Sequence, residues 1–456
     1  MVKNMTTGDS LKLLFGFMVP LIIGNIFQQI YSISDIIIVG RAIGVNALAA
    51  VGAAAPIFML FVMITLGLTN GFTVLTGQFY GAGNLEKVRR SVATSTTLSL
   101  ISVVLLDILI FGTLDWTLEL MNMPEVLYQD ARSYVAIIAA GLWAMMGYNF
   151  LSGILRALGD SRTPLYFLII GVLVNIVLAL LFIIPLGWGV PGSAYALVLS
   201  EALSVVLCLF YIRKKFPELN LRKGDWKWDT AFAWQHLKMG IPMAGQFSVI
   251  GIGILLIQAV CNKFGPDYIA GFTAAMRVEQ LALQPMISFG IAMAVFCAQN
   301  YGARKFDRIR SAVRKCSLLA VLFSLVSGLV VFFFSQDIVA VFMEGDHPRV
   351  MDAAVRYLHY SVPFYFFLSQ IFIYRGSVQG MGIGSVPLIS ATIELVMRTG
   401  AAEILTEWWG YKGICYASPI AWVAASIFLF SSFHYFLRLF EREERKAREK
   451  REAETV

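Results

Sequence analysis

An aspartate lies within an apolar stretch near the start of the chain. Asp35 is part of the segment YSISDIIIVG and is followed at once by four β-branched aliphatic residues. If this stretch spans a membrane, a carboxylate costs about 2.5–3.5 kcal/mol near the helix centre, so such groups usually face a polar cavity. A carboxylate in a cavity can bind a proton or another cation. Asp35 is therefore a candidate cation-coupling residue.

Other polar residues occur on the helix that is predicted around Asp35. Gln28 and Ser32 precede Asp35 by seven and three residues and share its helical face, and Tyr31 lies one turn before it. Together they form a polar stripe on an otherwise apolar helix. We predict that Gln28, Tyr31 and Ser32 line a substrate cavity. The alternative is that Asp35 makes only a local bond at the end of its helix.

Two further polar residues of the first half could complete the same site. Asn175 lies within a later apolar stretch, and Glu201 lies within the next one. Asn175 either lines the cavity or makes a structural hydrogen bond between helices. We predict that Glu201 also belongs to the cavity.

Two pairs of opposite charges occur in the second half of the chain. Arg277 and Glu279 are two residues apart, and Glu394 and Arg398 are four apart. One interpretation is that both pairs are structural ion pairs between helices. The other is that Glu279 faces the cavity.

These residues need helices to position them, and the composition indicates which kind. The chain has 456 residues, of which 58% are hydrophobic and 14% charged, whereas soluble proteins carry about 25% charged residues. Only helices or closed barrels satisfy the backbone within a bilayer, and the alternation typical of barrel strands is absent. We therefore predict an all-α integral membrane protein with twelve transmembrane helices at 13–39, 46–72, 90–112, 130–153, 164–185, 190–212, 235–261, 268–298, 312–335, 352–375, 386–406 and 413–438.

The Lys and Arg residues predict the orientation of these helices. Most of the 36 basic residues fall in segments that share one side, including clusters at 213–227 and 304–315 and Arg375 at the end of its predicted helix. Both termini are then cytoplasmic, and a bacterial inner membrane is expected. The predicted domains are an N-terminal six-helix lobe (1–212), a cytoplasmic linker (213–234), a C-terminal six-helix lobe (235–438) and a charged, helix-forming tail (439–456).

The two lobes repeat each other in sequence. TGQFYGAGNLEKVRRS (76–91) matches CAQNYGARKFDRIRSA (297–312) at a shift of 221 positions, and LGDSRTP (158–164) matches MGIGSVP (381–387) at a shift of 223. Because each lobe has an even number of helices, the lobes are parallel repeats, as in many secondary transporters. The positions equivalent to Asp35 are Leu256 or Ile257, so coupling through Asp35 would reside in the N-terminal lobe alone.

Other classes of function are disfavoured. The five cysteines contain no C-x-x-C pair, and the four histidines show no metal-ligand spacing, so neither a metal site nor a cofactor is predicted. No nucleophile–base motif indicates an enzyme, and no basic stretch interleaved with surface aromatics indicates nucleic-acid binding. A channel is a further alternative, although repeated lobes favour alternating access. The expected partners of this monomer are the lipid bilayer and small molecules.

The abundance of Phe and Met suggests what those small molecules are. The chain has 34 Phe and 18 Met residues. Thioethers adapt to irregular shapes, and aromatic faces attract cations. An apolar cavity of this kind with one carboxylate would suit lipophilic cations.

Six segments together resemble one known family in their order and spacing. They are PLIIGNIFQQIYSISDIIIVGRAIGVNALAAVG (20–52), GQFYGAGNLEKVRRS, RALGDSRTPLY, FTAAMRVEQLALQP, AQNYGARKFDRIR and GYKGICYASPIAW. They resemble the MATE (multidrug and toxic compound extrusion) transporters, and most closely the MepA-like bacterial branch. The resemblance implies a two-lobe antiporter that exports lipophilic, cationic drugs in exchange for H⁺ or Na⁺.

The resemblance also implies roles for individual residues. The family's coupling carboxylate maps onto Asp35, its fifth-helix asparagine onto Asn175 as a second cation-coupling residue, and its eighth-helix acidic position onto Glu279. Many relatives have Asp or Asn four residues after that asparagine, whereas this chain has Ala179. A Na⁺ site needs several oxygen ligands, so Ala179 favours H⁺.

One alternative belongs to the same superfamily, namely a flippase or exporter of lipid-linked precursors. It would need several basic residues in the cavity to hold pyrophosphate. Within the predicted helices of the second lobe, only Arg277 and Arg398 qualify.

Overall fold

The computed structural model describes residues 4–343, 345 and 347–455, and these residues form helices and turns without a strand. Nine of the described helices are long and apolar enough to cross a membrane, and a bent helix pair raises the number to ten. The predicted all-α membrane fold is therefore confirmed.

Seven helices form the first half of the chain. They are α1 (Ser10–Ala42), α2 (Val45–Gly81), α3 (Leu85–Leu120), α4 (Glu125–Ala140), α5 (Leu142–Ala157), α6 (Arg162–Ile183) and α7 (Gly189–Lys215). The turns between them are short, and α3 begins where the Asn84 side chain accepts a hydrogen bond from the Lys87 amide at 2.9 Å. Such a cap satisfies one of the free amides at a helix N-terminus.

Eight helices form the second half. They are α8 (Thr230–Cys261), α9 (Pro266–Gly302), α10 (Phe306–Phe333), α11 (Ser335–Ala340), α12 (Pro348–Ser361), α13 (Tyr365–Gly380), α14 (Ser385–Trp409) and α15 (Tyr411–Thr455). Each predicted span corresponds to one helix or to a pair, the pairs being α4 with α5 and α12 with α13. The last helix, α15, continues through the charged tail.

The prediction of one continuous helix over 130–153 was wrong. The chain bends by 47° between α4 and α5, and Gly141 lies at the break. A Cβ atom on Gly141 would lie 2.1 Å from a methyl group of Val198 in α7. Glycine is therefore required because α7 packs directly against the backbone at the break.

The internal repeat is visible in the backbone. Glycines with positive φ occupy matching positions of the two halves, so three turns that use such a residue occur in both halves. The matching pairs are Gly44 with Gly265, Gly159 with Gly382, and Gly189 with Gly410.

The chain divides into two compact units. Unit 1 contains Val19–Ala244, and unit 2 contains Met5–Met18 and Gly245–Val456. The predicted linker 213–234 thus lies within unit 1, and the division falls inside α8 close to Pro242. In α1 the division falls next to Pro20.

Candidate functional site

The carboxylate of Asp35 contacts a serine of another helix of unit 1. The Ser193 hydroxyl on α7 donates a hydrogen bond to Asp35 Oδ1 at 2.9 Å. Ser193 is only 2% exposed. This bond joins α1 to α7 and satisfies part of the hydrogen-bonding need of a carboxylate in an apolar helix.

The start of α7 explains why Ser193 is held there. Gly187 and Gly189 have positive φ and form the turn after α6. A Cβ atom on Gly192 would lie 3.2 Å from side-chain atoms of Phe182 and Trp188, so the first turn of α7 packs tightly on the end of α6. The segment GWGVPGSAYA (187–196) therefore forms the turn and the start of α7 that place the Ser193 hydroxyl.

Two tyrosines and a second carboxyl group lie near Asp35. The Tyr31 phenol is within electrostatic range of Asp35, Glu201 and Tyr134. Tyr134 of α4 is buried and is likewise within range of Asp35. The structure thus brings the predicted residues Asp35, Tyr31 and Glu201 into one part of unit 1.

Asn175 is buried on α6 but makes no described contact with Asp35. It is 2% exposed, and its Nδ2 atom has no hydrogen-bond partner among the described residues. One turn later, Ala179 packs with Phe182, Ile183 and Ala196 in an apolar cluster. An apolar contact thus occupies the position where many relatives have an oxygen ligand.

The remaining two residues predicted for the cavity in the first lobe are on α1. Gln28 is exposed, and it interacts with another group of the protein. The side chain of Ser32 lies outside the described part of the structure. Their role in a cavity therefore stays a prediction.

Glu279 lies in the interior of unit 2. It is 4% exposed, and the Tyr357 hydroxyl of α12 donates to its Oε2 atom at 3.5 Å. Arg398 is within electrostatic range of the carboxylate. Of the two interpretations given for Arg277 and Glu279, an ion pair between them does not occur among the described residues. Arg277 is exposed and Glu279 is buried, because residues two apart on a helix point in different directions.

The ion pair between Glu394 and Arg398 is confirmed, and a third residue, Arg375, also takes part in it. Arg398 and Glu394 form an ion pair at 3.6 Å, and Arg375 of α13 forms an ion pair with the other oxygen of Glu394. Arg375 is 6% exposed and lies inside α13, five residues before the end of that helix and at the end of the predicted span 352–375. A basic residue near a predicted span end looked like a topology signal, whereas its carboxylate partner lies on α14.

The repeat relates Asp35's surroundings to those of Glu279. A shift of 223 positions aligns Tyr134 with Tyr357, so each unit has a tyrosine near a buried carboxyl group. A shift of 221 positions aligns Ser193 with Ile414, which is fully buried. The hydroxyl partner of Asp35 is thus replaced by an aliphatic side chain in the second half.

Other reactive groups do not form a site. The five cysteines are all unpaired and buried. Throughout the part of the chain that the structure describes, no group of three or more His, Cys, Asp or Glu residues could hold a metal ion.

Comparisons with known proteins show the family to which the chain belongs. A family profile described as MatE matches residues 20–181 and 242–401, one segment in each half. The chain is 32% identical to the probable multidrug resistance protein YoeA of Bacillus subtilis (strain 168) over 337 residues, which is 72% of each protein. It is 28% identical over 434 residues to YpnP of the same organism, covering 95% of this chain and 96% of that protein.

Solved structures of other proteins have the same fold as this chain. One is MATE in complex with MaL6, with a TM-score of 0.90 and 24% identity over 96% of this chain and 99% of that one. Another is the outward-facing conformation of a multidrug resistance MATE family transporter of the MOP superfamily, with a TM-score of 0.89 and 24% identity over 96% and 98% of the two chains. At this identity the likeness shows the fold.

Proposed function

The chain belongs to the MatE family of multidrug efflux transporters, whose members are transporters and not enzymes, and from this premise we propose that it is a secondary active antiporter of lipophilic, often cationic drugs. It is a multi-pass membrane protein. The proposed location is the bacterial inner membrane, with both termini in the cytoplasm. Asp35 is the proposed coupling carboxylate.

One observation carries this proposal. Asp35 and Ser193 form a polar pair in unit 1, and the repeat has aliphatic residues at the equivalent positions, Leu256 or Ile257 and Ile414. Because the second half folds without such a pair, the fold itself does not require it. A costly polar pair that the fold does not need is best explained by a function.

The pair suggests how coupling works. The ionised Asp35 attracts a cationic drug, and protonation from the outside removes that attraction and favours release. Ser193 can donate to the carboxylate while it is charged, and its hydroxyl can rotate when the carboxyl group becomes neutral. Alternating exposure of the site to the two sides then links inward proton movement to outward drug movement.

The surroundings of Asp35 favour H⁺ over Na⁺. A Na⁺ site needs several oxygen ligands, which transporters supply from side chains and unwound backbone. Ser193 is the one described hydrogen-bond partner of Asp35, and Ala179 lies in an apolar cluster. A carboxyl group with few oxygen neighbours can still bind a proton.

The flippase alternative finds no support in unit 2. A cavity for pyrophosphate needs unpaired basic groups. Arg398 and Arg375 both form ion pairs with Glu394, so neither is an unpaired basic group. Arg277 is the remaining candidate, and one exposed arginine is fewer basic groups than a pyrophosphate cavity needs.

The proposal is tested by drug transport in inverted membrane vesicles. Wild type and Asp35→Asn are compared for uptake of a fluorescent lipophilic cation under an imposed proton or sodium gradient. We expect proton-driven uptake by the wild type and none by Asp35→Asn. The matched control is Asp107→Asn, which removes a half-buried carboxyl group of α3 in the same unit and should leave uptake intact. Full uptake by Asp35→Asn would refute the coupling role.

A further inference from the structure

The segment between α7 and α8 presents a surface that the proposed transport mechanism does not use. All seven Lys and Arg residues of 213–238 are exposed. Three of the nine tryptophans of the chain, Trp226, Trp228 and Trp234, lie in the same segment, and about half of each is exposed. These ten basic and tryptophan residues form the linker surface. Exposed tryptophan beside basic side chains is typical of a protein surface at a membrane interface.

The acidic residues of the segment are directed towards the protein instead. Asp225 is buried, and its Oδ2 atom lies 3.4 Å from Nε of Arg89 on α3. Oδ2 of Asp229 lies 2.6 Å from Nη2 of Arg90, the next residue of α3. Glu218 is the one acidic residue of this segment that is exposed. The fold thus separates the charges of the segment, so that its exposed side is strongly basic.

The linker surface is held in one orientation on unit 1. Phe216 and Leu219 are buried in an apolar cluster that includes Val88 of α3. The Arg89 guanidinium also donates from Nη1 to the Glu218 carbonyl oxygen at 3.2 Å. Because buried side chains anchor the segment, its basic side stays outward, whereas a flexible linker would expose acidic and basic groups alike.

The neighbouring helices indicate where the linker surface lies relative to a bilayer. Phe210 of α7 and Ile241 of α8 are exposed, as expected for side chains that face lipid tails. Nζ of Lys214 lies 5.9 Å from the Phe210 ring centroid, and Nζ of Lys238 lies 6.0 Å from that of Trp234. Near a membrane, lysine stems follow apolar surface while the ammonium reaches the headgroups, and tryptophan is enriched at the same level.

We propose that the linker surface binds the headgroups of anionic phospholipids in the adjoining membrane leaflet. Its lysines and arginines contact the anionic phosphate groups, and its tryptophans lie at the boundary between headgroups and acyl chains. Clusters of four to eight basic residues directly beside a membrane helix attract anionic lipids in this way. The inference goes beyond drug transport and does not depend on the coupling role of Asp35.

The test measures how lipids stabilise the full-length protein in detergent micelles. Phosphatidylglycerol, which is anionic, or phosphatidylcholine, which is zwitterionic, is added in increasing amounts at constant ionic strength. The melting temperature is followed by the loss of helical circular dichroism, because a ligand that binds the folded protein raises it. Wild type is compared with the double variant Lys223→Gln, Lys227→Gln. The matched control is Lys446→Gln, Lys450→Gln, which removes the same charge from an exposed part of α15.

Lipid binding at the linker surface predicts a distinct pattern. Phosphatidylglycerol should raise the melting temperature of the wild type at lower concentrations than phosphatidylcholine does. The linker variant should need at least about tenfold more phosphatidylglycerol for half of the effect, since each lysine near an anionic surface contributes a factor of about five to binding. The α15 variant should respond as the wild type does.

Three results would overturn the proposal. One is the same half-effect concentration of phosphatidylglycerol in the linker variant and the wild type, or an equal loss of response in the α15 variant. Another is an equal response of the wild type to the two lipids, because recognition would then not depend on headgroup charge. The third is full stabilisation by inorganic phosphate alone, which would show a site for a soluble anion instead of a lipid surface.

Discussion

The two units treat the carboxylates of their apolar helices in opposite ways. In unit 2, Glu394 has an arginine on each side, Arg375 and Arg398. In unit 1, Asp35 has a serine hydroxyl as its described partner, and Glu201 has no ion pair among the described residues. A carboxylate held between two cations stays charged and ties helices together. A carboxylate with only hydroxyl neighbours can change its charge, which is what coupling requires.

The difference is instructive because both units come from one repeated sequence. Tyr134 and Tyr357 occupy equivalent positions, and both lie near a carboxyl group. The carboxyl groups themselves are on non-equivalent helices, Asp35 on α1 and Glu279 on α9. The two units thus have a tyrosine at equivalent positions, whereas the carboxyl group near that tyrosine lies on a different helix in each unit.

The largest effect on stability is expected in unit 2. Arg375→Met would remove the bond between Arg375 and Glu394 while Arg398 still pairs with the carboxylate, and a hydrogen bond to a charged group contributes about 1.5–3 kcal/mol. Denaturation of the purified protein in detergent, followed by tryptophan fluorescence, measures this loss. If the loss were below about 1 kcal/mol, the value for an exposed pair, the contrast between the two units would fail.

The next largest effect is expected at Ser193, and it should appear in transport. A hydrogen bond to a charged group contributes about 1.5–3 kcal/mol, and the Ser193 bond favours the ionised form of Asp35. Ser193→Ala should therefore move the pH midpoint of drug uptake upwards, by about one to two pH units.

The matched control for Ser193 is another serine of unit 1. Ser34 donates to the Ile30 carbonyl within its own helix at 2.9 Å. Ser34→Ala should leave the pH midpoint where it is. A downward shift in Ser193→Ala would mean that the serine stabilises the neutral acid instead.

A smaller effect is expected from the two equivalent tyrosines. Tyr357→Phe removes a long hydrogen bond to Glu279 and should lower stability by about 1 kcal/mol or less, with no change in the pH profile of uptake. Tyr134→Phe should instead shift that profile, by less than Ser193→Ala does. Equal pH profiles for the two variants would remove the functional distinction between the units.

The smallest effect is expected at an exposed ion pair of unit 2. The Nε atom of Arg356 lies 2.9 Å from Oδ1 of Asp352 on the surface of α12. Exposed pairs of this kind contribute about 0–1 kcal/mol. Arg356→Ala should therefore change stability much less than Arg375→Met in the same denaturation measurement. A similar loss in both variants would show that burial is not what distinguishes them.

The sequence alone identified the charged residues of the apolar segments better than it identified the residues that contact them. Asp35 stands out because charge is rare in apolar segments, and Glu394 with Arg398 because their spacing brings them together on one helix. The partners Ser193 and Tyr134 are of residue types that are common in membrane helices, so their occurrence in apolar segments does not mark them as functional. The alignment of Ser193 with Ile414 could have drawn attention to it.

Two features were missed for a common physical reason. Arg375 was read only as a topology signal, and the helix over 130–153 was assumed to be continuous, because both judgements used only local sequence. Arg375 is stabilised by a carboxylate on α14, and the glycine at the break, Gly141, is required by Val198 on α7. Both causes lie on other helices and become visible only once the chain is folded.

The burial of every cysteine has a practical consequence for following this protein at work. The five thiols are enclosed in the packed helices, so a membrane-impermeant maleimide should label the natural sequence poorly. A single cysteine introduced at a loop position, such as Gly224 or Asn122, would then report which side of the membrane that loop faces without prior removal of the native thiols. The same background allows labels to be placed along α1 and α7 to record which turns become accessible during transport.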